Sequence, residues 1–425
     1  MRRISPLDVR AALLSREEIA LFDLRQEADY AVAHPLFAAS LPLARVELEI
    51  ADRVPRRTTP IVLYGGGDGA VEQAAERLAN LCYKDIAALD GGLDGWRDSG
   101  GELFRDVNVP SKAFGELVEA WRRTPSISPE DLKARLDSKA DLIVLDARRF
   151  EEYHTMSIPS SVSVPGAELV YRVSELAPRP ETLVVVNCAG RTRSIIGAQS
   201  LVNAGIPNPV AALRNGTIGW TLAGFALEHG QTRRAPAAGA EALALASDRA
   251  RRVAIKAGVT RIDGACLREW VADPLRTTYR FDVRTPEEFS AGHVRGFRSA
   301  PGGQLVQEAD VFAPVRGARI VLADNDGVRA DMTASWLAQM GWQVYVLEHA
   351  LQAAEVETGP WRPTPPARAV PIRTEAVPPP VPYKRPYEGT DNPVAAMQAY
   401  LDWEYGLVEQ LARDGTHGFR PVFVS

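Results

Sequence analysis

Short apolar runs rich in β-branched residues alternate with helical patterns along most of the chain. Three runs share one layout: Leu21-Phe22-Asp23-Leu24-Arg25, Val144-Leu145-Asp146-Ala147-Arg148 and Arg280-Phe281-Asp282-Val283-Arg284. Each is followed by a second run: Ile61-Val62-Leu63-Tyr64, Leu183-Val184-Val185-Val186-Asn187 and Ile320-Val321-Leu322-Ala323. Every second run ends at a short loop, and helical patterns follow at Gln73 to Asn80, Ser194 to Asn203 and Met332 to Met340. The separations Asp23 to Gly65, Asp146 to Cys188 and Asp282 to Asp324 are all 42 residues. Equal spacing of that kind marks a threefold internal repeat. Each unit is long enough for one small core. Strands alternating with helices predict an α/β fold, with a small, mostly parallel sheet flanked by helices in each unit. The loop then lies at the carboxyl end of a central strand, where open α/β sheets bind ligands.

The joins predict units at 1–110, 126–232 and 259–359. Ser111 to Arg123 has a helical pattern that Thr124-Pro125 interrupts, which predicts a linker helix over 111–125. Ala235 to Ala257 is Ala-rich, with Asp248 four residues before Arg252, and predicts an exposed linker helix over 233–258. From Pro360 to Pro386 there are 10 prolines in 27 residues, so 360–390 reads as a stiff, extended linker. A tail over 391–425 carries one amphipathic helix from Pro393 to Ala412, with Val394, Met397, Leu401, Tyr405 and Val408 on its apolar face. That helix should dock on a domain, and with the Pro-rich segment it offers a surface to a protein partner.

Composition narrows the class. The 425 residues are 46% hydrophobic and 24% charged, as in ordinary globular proteins. A net charge of -5 gives no basic face for nucleic acid. No apolar run approaches the ~18 residues of a membrane span. Three cysteines cannot build a disulfide framework, which suits a reducing compartment and a cytoplasmic location.

Only the second unit has a cysteine at its loop, Cys188-Ala189-Gly190-Arg191-Thr192-Arg193-Ser194. A nucleophilic sulfur must be a thiolate. A helix N-terminus, two arginines and the inward amides of a tight loop would each favour that charge. Cys188 is thus the candidate nucleophile, and residues 189–194 are the candidate anion-binding groups. The competing reading is a buried structural cysteine at a strand end. Cys82 and Cys266 are expected to serve only packing. Asp146 and Arg148, two apart on a strand, share one face and are expected to pair in support of the loop. His154 is expected at the surface and Trp220 at the domain end. No metal or cofactor is called for.

Three motifs carry a family resemblance. The first is Asp-x-Arg followed by an acidic-aromatic pair, clearest at Asp282-Val283-Arg284-Thr285-Pro286-Glu287-Glu288-Phe289-Ser290-Ala291-Gly292-His293. The second is the strand–Cys–loop–helix unit. The third is a closing signature, Gly91-Gly92-Leu93-Asp94-Gly95-Trp96 and Asn215-Gly216-Thr217-Ile218-Gly219-Trp220. Over about residues 1–355 the chain resembles tandem rhodanese homology domains, the sulfurtransferase fold. The resemblance implies transfer of a sulfane sulfur from a small anionic donor such as thiosulfate, through a Cys188 persulfide, to a thiol or cyanide. It also implies that the first and third units are inactive, since Gly65 and Asp324 stand where the cysteine would be. The family loop is usually Cys-x-x-Gly-x-Arg; here Arg193 falls on the final arginine, while the glycine comes one position early, at Gly190.

Two other functions stay open at this stage. Cysteine phosphatases and some arsenate reductases use a similar loop, with five residues between Cys and Arg where this chain has four. A sulfur-carrier or scaffold role would use the silent units, the Pro-rich segment and the terminal helix.

Overall fold

A computed structural model describes residues 1–67, 69–353, 355–363 and 382–422. Most of the predicted Pro-rich linker lies outside the described residues. Three sheets follow one another, each with an aliphatic central strand buried on both faces: Ile61–Tyr64, Leu183–Asn187 and Arg319–Ala323. In each, the central strand pairs in parallel with the Asp-bearing strand: Ile19–Asp23, Leu142–Asp146 and Thr278–Asp282. The register is the same in all three, with Asp23 opposite Tyr64, Asp146 opposite Asn187 and Asp282 opposite Ala323. The 42-residue spacing is that register plus one step, so Gly65, Cys188 and Asp324 each leave the sheet at the same place.

The first and third units are physically joined. The strand Val315–Arg316, from the third unit, adds antiparallel to Ile19–Asp23, pairing Val315 with Ala20 and Arg316 with Ile19. The first sheet thereby has six strands, against five in each of its two counterparts, and a two-stranded ribbon pairs His293–Val294 with Val356–Glu357.

The helix predicted as a linker over 111–125 runs Val109–Arg122, and every residue from Val109 to Val118 is buried. It is a central strut. Gly115 lets it approach the helix Thr192–Ala204 so closely that a Cβ there would stand 2.9 Å from Thr192 Cγ2. On its other side, Ser111 Oγ donates to the Gln307 carbonyl at 2.7 Å, and Phe114 meets Trp336 edge-on. Lys112 and Glu116 disguise this burial in the sequence, because both are charged yet only 4% exposed.

The second linker also differs from expectation. The helix Ala240–Lys256 buries Ala246, Ala250 and Val253 in a core shared with Val173 and Met332, and only its outer face, with the Asp248–Arg252 pair, is exposed. Alanine's small side chain permits close helix packing while giving a weak hydrophobic pattern. The tail is two helices, Val394–Tyr405 and Leu407–Asp414, broken at Gly406. The first buries Met397, Tyr400, Leu401 and Glu404, and the second Leu407 and Leu411, all against the same chain. Among the described residues no helix is long and apolar enough to cross a membrane.

Candidate active site

The strand Leu183–Asn187 ends where Asn187 Nδ2 donates to Asp146 Oδ2 at 2.8 Å. Asp146 also takes Arg148 Nε at 2.9 Å and Nη2 at 2.8 Å, and Arg148 Nη2 reaches the Met156 carbonyl at 2.6 Å. This fully buried pair anchors the strand end beneath the loop. The same aspartate–arginine pair recurs as Asp23–Arg25 and Asp282–Arg284.

Cys188 follows, with 1% of its surface exposed. Its thiol donates to Ser194 Oγ at 3.5 Å, and that hydroxyl donates to the Arg191 carbonyl at 2.8 Å. The loop is shaped from behind by the helix Gly216–Leu222. Thr217 N donates to the Cys188 carbonyl at 2.9 Å, while Ile218 N and Thr217 Oγ1 donate to that of Ala189 at 3.0 and 3.1 Å. In a planar trans peptide the C=O and the following N–H point in opposite directions. Turning these two carbonyls outward therefore turns the amides of Ala189 and Gly190 toward the sulfur side. Among the described residues, the amides of Ala189, Gly190, Thr192 and Arg193 donate to no backbone or side-chain acceptor. Unpaired amides in a loop that opens a helix are suited to a small anion.

The two arginines do not add free charge to this cradle, contrary to the sequence expectation. Arg191 turns away from the thiol to Glu116, at 2.7 and 2.8 Å, and to Glu119, with its guanidinium 4.0 Å from the Tyr405 ring. Arg193 makes a two-pronged pair with Glu152, at 2.8 Å on both prongs. The thiol is not acidified either. Burial pushes Cys188 upward, and the opposing pull of Arg193 and of Ser194 does not restore it. Charges near in sequence promised activation, but their carboxylate partners lie 41 and 75 residues away.

Glu152 was not evident from the motif alone, although the repeat encodes it. Glu152 precedes Arg193 by 41 residues, and Glu288 precedes its own partner, Arg329, by the same 41. Burial would raise both carboxyls, but the arginines draw each down to about 2. A carboxylate held below its unfolded value stabilises the fold above that value, and the contribution is lost as pH falls through the folded value. We expect Glu152→Gln to cost about 3 kcal/mol at neutral pH, because it strands a buried arginine. In thermal melts the gap between the two proteins should close between about pH 4 and pH 2. A gap unchanged at pH 2 would assign the loss to packing instead.

The tail closes the site. Tyr387, Tyr400 and Glu404 line a cavity of about 20 Å³ together with Cys188, Gly190, Lys112 and Gln307. A Cβ on residue 190 would stand 3.1 Å from Tyr400 Cε1 and 3.2 Å from Glu404 Oε2. The early glycine of the loop is where the tail rests on its backbone. Lys112 pairs with Asp106 at 2.7 Å, and its ammonium lies 5.0 to 5.5 Å from the rings of Tyr387, Tyr400 and Trp403. Tyr400 OH donates to Glu404 Oε1 at 2.8 Å. Glu404 is fully buried, and burial with Glu116 nearby pushes its carboxyl up to about 8. The tail has no counterpart in the repeat, so no sequence signal placed these residues here.

The other positions resolve as follows. Cys266 is half-buried beside Trp270, as a packing residue would be, but Cys82 is exposed, at φ 67° just beyond the helix Ala70–Asn80. The tight turn at that helix end rotates Cys82 outward between the buried Leu81 and Tyr83. His154 is exposed, and Trp220 is buried with its indole N–H on the Ala226 carbonyl at 2.9 Å. In the third loop the cradle is filled by the chain's own carboxylates. Asp324 accepts from Gly327 N and Ala330 N, and Asp326 from Val328 N and Arg329 N. In the first loop, Gly65, Gly66 and Gly67 border an open hollow of about 480 Å³.

The model of the Rhodanese-like domain matches residues 6–99, 128–223 and 267–355, more than half of the chain. This chain belongs to the rhodanese family. A solved structure, the thiosulfate sulfurtransferase of Pseudomonas aeruginosa, is 52% identical, with a TM-score of 0.96 and coverage of 100% of both chains. A curated relative from Bacillus subtilis (strain 168), "Putative sulfur carrier protein YrkF", is 29% identical over 152 residues, which are 31% of this chain and 79% of the relative. The chain is a rhodanese-type sulfurtransferase with three tandem rhodanese domains.

Proposed function

We propose that this rhodanese moves a sulfane sulfur from thiosulfate to a thiol or cyanide acceptor through a persulfide on Cys188. The observation that supports it most is the set of unpartnered amides in the loop that follows Cys188 at the end of the central strand. In the first half-reaction the Cys188 sulfur attacks the outer sulfur of thiosulfate. An S–S bond forms, the bond to the sulfonate sulfur breaks, and its electron pair leaves on sulfite. The persulfide anion then rests among the loop amides, which favour the transferred charge. An acceptor nucleophile removes the outer sulfur and restores the cysteine. Thiosulfate is chosen as donor because the Pseudomonas aeruginosa relative is named for it.

The first and third domains are read as silent. Glycine has no nucleophile, and Asp324 offers a carboxylate that cannot carry a sulfane sulfur. A phosphatase-type reaction has less behind it, since Arg193, the final arginine of the loop, is committed to Glu152. Intact-protein mass spectrometry tests the reading. Incubation with thiosulfate should add one sulfur atom, and cyanide should remove it as thiocyanate. If thiosulfate, mercaptopyruvate and a low-molecular-weight persulfide all fail to load the protein, the assignment is wrong.

A further inference from the structure

The half-reaction just described, on which this inference rests, leaves a proton to be placed. Burial disfavours the Cys188 thiolate, and sulfite is a basic leaving group. Of the side chains around the cavity, Lys112 is kept charged by Asp106, while Arg191 and Arg193 are locked in ion pairs. Glu404 differs. Its Oε1 is held by Tyr400 OH, but its Oε2 has no hydrogen-bond partner among the described residues, although it is buried. That oxygen lies against the Gly190 backbone in the same cavity as the sulfur. Leaving a buried carboxyl oxygen unpaired costs free energy, which a substrate contact would recover.

We propose that Glu404 carries the proton of this half-reaction, taking it from the Cys188 thiol and handing it to the departing sulfite. The S–H bond breaks with its proton going to Oε2, and the thiolate attacks the sulfane sulfur. As the old S–S bond opens, the proton passes from Oε2 to sulfite, which leaves as hydrogen sulfite. Thiol plus thiosulfate dianion thus gives persulfide anion plus hydrogen sulfite, with atoms, electrons and charge conserved and no outside oxidant. The surroundings suit a carboxyl that changes protonation in use. Glu116 and Lys112 on the central helix, Arg191 on the loop, and Tyr400 on its own helix bear on it with opposing signs, and a carboxyl pushed up to about 8 populates near neutrality both the carboxylate that takes the proton and the acid that returns it.

The test compares two donors of similar size on the full chain. Thiosulfate releases sulfite, whereas methanethiosulfonate releases a sulfinate, a much weaker base that departs without a proton. Single-turnover loading of Cys188 is followed by mass spectrometry for wild type and Glu404→Gln. Effects on folding, tail docking or thiol ionisation are common to both donors and cancel in the ratio of their rates. The thiosulfate-to-methanethiosulfonate ratio should fall about 100-fold in Glu404→Gln, the size of a lost general acid. An unchanged ratio overturns the proposal. If wild type loads from neither donor, the sulfurtransferase reading itself fails.

Discussion

Replacing Cys188 by serine is expected to abolish sulfur loading and lower turnover on the order of 10⁴-fold or more, as loss of a covalent nucleophile does elsewhere. A serine hydroxyl at this position is a far weaker acid than a thiol and cannot carry a sulfane sulfur as a persulfide. Its nearest polar neighbour, Ser194 Oγ, already donates to the Arg191 carbonyl and stands ready only to accept. The amide cradle would remain, but with nothing to bond the sulfane sulfur. Serine at Cys82 or Cys266 should leave activity within about twofold, since neither touches the loop. Thiocyanate production and the added mass read both effects. Loss of loading in Cys82→Ser with retention in Cys188→Ser would move the chemistry to the exposed thiol.

A substitution on the helix behind the loop should also be damaging, though less so. Gly216 sits at φ +54°, behind the loop. A Cβ there would lie far inside contact distance of the Cys188 carbonyl oxygen and 2.7 Å from that of Gly190. Both obstacles are backbone atoms, so no side chain can swing away to relieve the clash. Gly216→Ala must push the loop outward, lengthening the Thr217–Cys188 bond that orients the amides. We expect kcat/KM to fall about 100-fold, the penalty for an ångström-scale misplacement of a catalytic group. Stability should drop by about 2 to 3 kcal/mol from overpacking and left-handed strain. Gly205→Ala is the comparison: its φ is +65°, but nothing lies within 4 Å of the added methyl. It carries the strain without the collision, so it should cost about 1 kcal/mol and no activity. Equal losses in the two variants would show that the loop does not depend on Gly216.

The parts of this molecule that were legible in its sequence are those the repeat writes three times. A common register placed Gly65, Cys188 and Asp324 at equivalent strand ends, and it singled out Cys188. What stayed hidden depends on partners with no fixed spacing. Arg191 read as a charge facing the thiol, yet Glu116, on a helix of the preceding junction, draws it away. The central helix read as a linker because its buried face includes Lys112 and Glu116, charges satisfied by Asp106 just before the helix and by Arg191 of the loop. Glu404 and Tyr400 looked like parts of an ordinary amphipathic helix. Their place over Cys188 is set by tertiary packing against Gly190, which no local pattern records.

The strand that the third domain adds to the first sheet bears on how the protein comes off the ribosome. Domains of a tandem array ordinarily fold one after another as each is synthesised. Here the first sheet lacks its last strand until Val315 and Arg316 have been made, nearly 300 residues after Ile19. Until then part of the Ile19–Asp23 edge is open, the kind of unpaired edge that recruits strands from other chains. We expect the N-terminal domain to complete this edge only once the third domain has been made, and a gene fragment encoding the first domain alone to yield a sheet with a missing border and a greater tendency to self-associate.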